Sequence, residues 1–194
     1  MWPPPVTLSD THVTLAPLAQ SQARDLQEAS RDLQGLWYTS VPAPEDVPAE
    51  IDRRLAQQSA GTMLPFAVLQ PDGQAVGMTT YMNIDATNKR VEIGSTWYAR
   101  SVQRSPLNTQ AKRLLLRHAF ETLDCLAVEF RTHRLNTQSR RAIERLGAQL
   151  DGILRAHMVL ANGTVRDTAV YSITAPEWPV VNANLDWLLA KPRT

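Results

Sequence analysis

Apolar positions change their period along the chain, and those changes outline its elements. From His12 to Leu18 apolar and polar residues alternate as at a strand entry, which Pro17 ends. Between Ser21 and Leu33 the spacing is helical, with Leu26 and Leu33 on one side, and residues 35–44 form a loop rich in aromatics and prolines. Glu45 to Ala60 predicts a second helix, since Ile51 and Leu55 stand one turn apart. Period two returns in Met63 to Gln70, Ala75 to Ile84 and Val91 to Tyr98. Turns at Asp72-Gly73 and Asn88-Lys89 join them into an antiparallel meander. Asn108 to Leu123 reads as a helix, Ala127 to Thr132 as a buried strand, and Thr137 to Leu146 as a helix capped by Asn136 and closed by Gly147. Leu150 to Leu160 and Val165 to Ile173 predict a last hairpin, and Glu177 to Ala190 a closing helix.

The order βααβββαβαββα predicts an α+β fold of three layers: a mixed, mainly antiparallel central sheet flanked by helices, with one β-α-β crossover. At 194 residues the chain suits a single domain, 1–194, with a sizeable core. Composition then removes function classes. Only eight glycines occur, no two separated by a single residue, so neither a G-x-G-x-x-G dinucleotide loop nor a G-x-x-x-x-G-K-[ST] phosphate loop is present. A lone Cys125 forms neither an internal disulfide nor a cysteine cluster for zinc, and no metal is expected. Met1-Trp2-Pro3-Pro4-Pro5 lacks the basic start and apolar stretch of a signal peptide, and no segment nears 18 uninterrupted apolar residues. A cytoplasmic protein without membrane contact is the expectation.

Charge adds one asymmetry behind the net +1: between Arg100 and Arg145 ten Lys or Arg stand against four acids. A basic middle on a slightly acidic body suits a local anionic ligand better than an extended nucleic-acid face, so no nucleic-acid partner is expected. A solvated basic helix surface accounts for the same excess equally well.

Three segments carry a family resemblance: Val91-Glu92-Ile93-Gly94-Ser95-Thr96-Trp97-Tyr98, Gln103-Arg104-Ser105-Pro106-Leu107-Asn108-Thr109-Gln110-Ala111, and Asn136-Thr137-Gln138-Ser139 followed by Leu146-Gly147-Ala148. They resemble the fourth strand, the R/Q-x-x-G-x-G/A pyrophosphate loop and the N-x-x-S/A helix ending in L-G-F of the GCN5-related N-acetyltransferases (GNAT), on the RimJ/RimL branch that acts on ribosomal proteins. Pro106 and Asn108 depart from the loop's small residues, and Ala148 replaces its aromatic. The loop needs backbone N–H groups at a helix N-terminus, which Leu107, Asn108 and Thr109 supply and Pro106 does not. The resemblance implies acetyl-CoA as cosubstrate, with its pyrophosphate on Gln103 to Thr109 and added charge from Arg104 and Lys112. It also implies contacts with Ile93, Ser95 and Trp97, and a pantetheine arm beside Asn136 and Ser139. A polar helix cap with nothing bound is the plainer alternative.

Acetyl transfer from a thioester to an amine needs a neutral amine, a polarised carbonyl and a proton for the leaving thiolate. With no Ser-His-Asp or Cys-His arrangement evident, the resemblance implies direct attack in a ternary complex. Glu92 is the candidate base, with a salt bridge to Arg90 as its structural alternative; Asp167 and His157 compete, and a water chain replaces any single base. Many relatives use a tyrosine four residues after the position of Ser139, but Ile143 stands there, which makes Ser139 the candidate acid. A backbone N–H of the Ile93 to Tyr98 strand would hold the carbonyl. Trp37 and Tyr38 line a pocket for a cationic amine or peptide N-terminus, or simply anchor their loop. Arg155, His157 and Asp167 would orient that acceptor, a primary amine of a protein N-terminus or a small molecule. A homodimer through the last hairpin and helix is compatible with the pattern. Pro106 and Ala148 motivate a second reading, a catalytically degenerate acyl-CoA-binding sensor or structural domain.

Overall fold

The computed structural model describes Trp2 to Lys191; Met1, on which the signal-peptide reading partly falls, and residues 192–194 lie outside the described residues. Alternation delivers Val13 and Leu15 to the core from β2 (Val13–Pro17), but a three-residue strand, β1 (Leu8–Asp10), precedes and pairs with it. Three residues are too few for period two to be seen. Helix α1 (Ala23–Ser30) ends before the expected Leu33: the buried Ser30 hydroxyl turns back onto the Gln27 carbonyl, a local bond that competes with helix propagation. Helix α2 (Val47–Ser59) and the meander β3 (Met63–Leu69), β4 (Ala75–Asp85) and β5 (Arg90–Tyr98) stand as expected.

Helix α3 (Pro106–Arg117) begins two residues earlier than Asn108, because Ser105 caps it and proline fits a first helical position. One wider turn, His118–Thr122, leads on towards β6 (Ala127–His133). Helix α4 (Thr137–Arg145) is capped by the Asn136 side chain and closes at Gly147, whose φ of 102° favours glycine. Strands β7 (Gln149–Val159) and β8 (Val165–Thr174) and helix α5 (Trp178–Ala190) complete the chain.

The eight strands among the described residues form one sheet in the order β1-β2-β3-β4-β5-β6-β8-β7, antiparallel except for the parallel pair β5/β6 created by the α3 crossover. Helices α1 and α2 cover one face over a cluster that includes Leu26, Val47, Ile51, Met78 and Trp97. The larger cluster, with Phe66, Tyr81, Ile93, Leu115, Tyr171 and Leu185, lies under α3 and α5 on the other face. The parallel seam is short: only Arg90↔Ala127, Val91↔Val128 and Glu92↔Glu129 pair. Beyond it β5 continues to Tyr98 against β4, and β6 to His133 against β8, so the sheet opens into a wedge between the two strands.

Candidate active site

The α3 N-terminus adjoins the end of β5. Gln103 donates to the Tyr98 carbonyl at 3.0 Å, and Arg104 has a φ of +60°. The Ser105 hydroxyl donates to the Val102 carbonyl at 2.6 Å and accepts the Leu107 amide at 3.3 Å. Pro106 has no amide proton, and Thr109's amide is the first that can close the helix, onto Ser105. Of the three expected donors, Asn108 is therefore best placed for an anion, and its Oδ1 is buried without a partner. Arg145 of α4 donates to the Thr109 hydroxyl at 2.8 Å, so α3 and α4 meet beside this turn. These residues fit a pyrophosphate through the helix dipole and cationic side chains more than through a run of amides.

Lys112 does not add charge to that loop. It is 7% exposed, and its Nζ donates to Thr96 Oγ1 at 2.7 Å and Thr79 Oγ1 at 3.2 Å, because the second turn of α3 faces the sheet.

Glu92 lies on the opposite face, 5% exposed, where its Oε2 accepts from Asn83 Nδ2 at 2.7 Å and stands 3.5 Å from Arg131 Nε. Burial pushes its pKa above the usual carboxylate range, against the pull of Asn83 and Arg131. The alternative partner Arg90 pairs with Glu129 instead. Gly94 makes room beside it: a Cβ there would sit 2.7 Å from Met82 Sδ and 3.0 Å from Glu92 Oε1. Ser95, with a φ of 47°, marks an irregularity in β5 at the mouth of the wedge. Its neighbours Ile93 and Trp97 are buried, with Ile93 in the core under α3 and Trp97 in the core under α1 and α2.

Two residues that periodicity does not single out complete this side. Arg54 of α2, 3% exposed, donates from Nε to Glu50 at 2.7 Å and from Nη2 to the Ser95 carbonyl at 3.2 Å, while its Nη1 is buried without a partner. His133, at the end of β6, accepts the Leu135 amide on Nδ1 at 3.0 Å, which leaves the proton on a buried Nε2 that also lacks a partner. Burial first, then the charge of Arg166, lowers its pKa, so the ring stays neutral near pH 7. Trp37 and Tyr38 do meet in a wall, with ring centroids 5.2 Å and 5.8 Å from that of His133.

The last hairpin bulges at residues 155–157, where Leu154 pairs with Thr168 but Met158 with Arg166, and Ala156 takes a φ of 47°. Asp167 fastens the bulge: it accepts the Ala156 amide at 2.9 Å and stands 3.4 Å from both Arg155 and Arg134. The Ala156 amide, then Arg155, hold its pKa below the usual range, which suits an anchor rather than a base. Nδ1 of His157 lies 3.0 Å from the Thr168 hydroxyl. Asn136 Oδ1 accepts the Ser139 amide at 3.0 Å, so the carbonyl end of that side chain is occupied by capping α4.

Comparison with known proteins identifies the family and the fold. Residues 12–149 match the model of the acetyltransferase (GNAT) domain. YdaF of Bacillus subtilis (strain 168), provisionally named a ribosomal N-acetyltransferase, is 34% identical over 173 residues, covering 86% of this chain and 93% of its own. A GCN5-related N-acetyltransferase from Brucella melitensis superposes with a TM-score of 0.87 at 31% identity, over 97% of this chain and 87% of that one. Mycobacterium smegmatis RimJ, solved with CoA-disulfide, shares the fold at a TM-score of 0.81 and 24% identity, over 95% of each chain. The chain belongs to the GNAT acetyltransferase family and is by that membership an acyltransferase, and its relatives' names are consistent with the RimJ/RimL-like branch.

Proposed function

We propose that the chain transfers an acetyl group from acetyl-CoA to a primary amine, foremost a protein or peptide N-terminus, by direct attack in a ternary complex. The carrying observation is the wedge between β5 and β6, with the basic α3 N-terminus on one face of the sheet and, on the other, the buried Glu92 and, four residues further along β6 than its partner Glu129, the aromatic wall at His133. When bound, acetyl-CoA supplies an activated acyl carbon. Gln103 to Thr109 would hold its phosphates, the Ile93 to Tyr98 backbone its carbonyl, and the first turn of α4, with Asn136 and Ser139, the arm leading to sulfur. Glu92, its pKa raised by burial, accepts the proton that the attacking amine loses. Arg54 Nη1 and His133 Nε2 are two buried N–H groups on this side without protein acceptors, which suits the carbonyls of a peptide N-terminus. Trp37 and Tyr38 close that side. The name of YdaF supports a ribosomal-protein acceptor.

The test is thiol release from acetyl-CoA with a panel of N-terminal peptides and small amines. Glu92→Gln is expected to lower kcat by about 10²- to 10⁴-fold with CoA affinity, measured by calorimetry, unchanged. No CoA binding at millimolar ligand would refute the reading. Binding without turnover across the panel would favour an acyl-CoA sensor instead, the reading that Pro106 and the Ser105-capped Leu107 amide support.

A further inference from the structure

Lys112 is the buried charge that the reaction above leaves unused. Its Nζ, the Thr79 hydroxyl and the Thr96 hydroxyl form a triangle, with the two hydroxyls 2.8 Å apart, and the Thr96 hydroxyl also lies 3.3 Å from the Gly94 carbonyl, to which it donates when no sulfur is present. No charged neighbour contributes to its titration; burial alone lowers its pKa to about 7. Such a lysine gives up a proton far more readily than an exposed one. The other titratable side chains of this neighbourhood are engaged elsewhere or neutral. Tyr81 donates to the Leu115 carbonyl and lies 3.3 Å from His118 Nδ1, Tyr98 has a buried hydroxyl without a partner, and Arg113 is held between Asp10 and Asp186.

The two faces of the sheet divide the proton work. Glu92 and the aromatic wall lie on the face of α1 and α2, where a proton must leave the amine. Thr79 and Thr96 lie under α3, the face from which a ligand anchored at the α3 N-terminus reaches the wedge. Thr96 is partly exposed there, on the stretch of β5 that has lost β6 as a neighbour. With Ile143 in place of a tyrosine, the groups that offer the sulfur a proton are Ser139 of α4 and the Thr96 hydroxyl, which has the Lys112 ammonium behind it.

We propose that Lys112, acting through the Thr96 hydroxyl, supplies the proton that the CoA sulfur acquires on transfer. Thr96 gives its hydroxyl proton to sulfur as the carbon–sulfur bond breaks and the bonding electron pair stays on sulfur. Lys112 restores the Thr96 proton from its ammonium and becomes a neutral amine; after CoA departs, it is recharged from solvent by the same path. Thr79 orients the pair without exchanging a proton itself.

The inference rests on the acetyl-CoA reading, and one experiment separates the two. CoA is bound to wild type, Lys112→Met and Thr96→Val, and the ultraviolet absorbance of its thiolate is followed against pH. In wild type the bound thiol and Lys112 share a proton, so the thiol ionises below the value of about 8.5 for a free thiol; both variants return it to that value. Turnover falls about 10²-fold in each, and the alkaline limb of the kcat profile disappears in Lys112→Met, because only the charged lysine donates. Thr96→Val, nearly isosteric, keeps the inference testable should Lys112→Met fail to fold. An unshifted thiol in wild type, or a shift that survives in Thr96→Val, overturns the relay. A shift abolished by Ser139→Ala but not by Thr96→Val assigns the role to Ser139 and overturns it too. Wild type that binds no CoA overturns the acetyl-CoA reading first, and the relay with it.

Discussion

Arg53 and Arg54 are adjacent, and each places its Nε 2.7 Å from the same carboxylate, Glu50, yet their side chains are 49% and 3% exposed. Their replacement by methionine therefore separates a surface ion pair from a buried one. Loss of Arg53 removes an exposed pair of about 0–1 kcal/mol, and Glu50 keeps Arg54. Loss of Arg54 leaves the Ser95 carbonyl without its donor, a cost of about 1–3 kcal/mol. Two effects limit the loss: Arg53 still neutralises Glu50, and methionine escapes the burial that lowers the Arg54 pKa. A net destabilisation of about 2 kcal/mol corresponds to a fall in Tm of about 4–8 °C for a chain of this size. Because Arg54 also fixes the carbonyl at the positive-φ residue of β5, kcat/KM should fall in Arg54→Met and stay near wild type in Arg53→Met. Paired thermal melts and initial rates suffice. Equal Tm shifts for the two variants, or a larger one for Arg53→Met, would refute the assignment of the buried contact.

Two further outcomes follow from the acceptor side. Gly94→Ala puts a methyl 2.7 Å from Met82 Sδ and 3.0 Å from Glu92 Oε1; the flexible methionine yields, the carboxylate is displaced, and kcat drops while Tm falls by no more than the ~1–3 kcal/mol of ordinary overpacking allows. His133→Phe keeps the aromatic wall but loses the Nε2 proton, so KM for peptide acceptors rises with CoA affinity unchanged, as calorimetry would show. The Glu92 test extends to pH: a base must be deprotonated, so activity is lost as pH falls through a pKa raised above 4.5, and this acid limb vanishes in Glu92→Gln.

Features written into a few consecutive residues were legible in the sequence. Asn136 as a cap, Gly147 as a terminator and the Asp72-Gly73 turn follow from local backbone chemistry, and period two marked the meander. Glu92 could be placed on its strand, but Asn83 and Arg131 are brought to it only by strand pairing, and the nearer Arg90 turned to Glu129. Nearness in sequence puts Lys112 at the phosphate turn, whereas helical phase points it into the sheet. Arg54 and His133 gave no signal at all. One acts on a carbonyl 41 residues away and the other meets a loop nearly a hundred residues earlier. Nor does periodicity report how far a parallel pair runs, so the wedge, which depends on where β6 departs from β5, was invisible.

That three-rung seam has a mechanical consequence. Strand pairing joins β1–β5 to the β6, β8, β7 unit at three positions, extended by the Leu126 amide on the Lys89 carbonyl, and helices packed beneath carry the rest of the load. The molecule is in effect two stiff plates sharing a narrow hinge line. Any ligand arm lying in the gap replaces missing rungs as well as filling space, so gripping the donor and stiffening the scaffold are one thermodynamic event. On the acetyl-CoA reading proposed above, the plates are held most rigidly while the arm of the donor, or of its CoA product, lies in the gap.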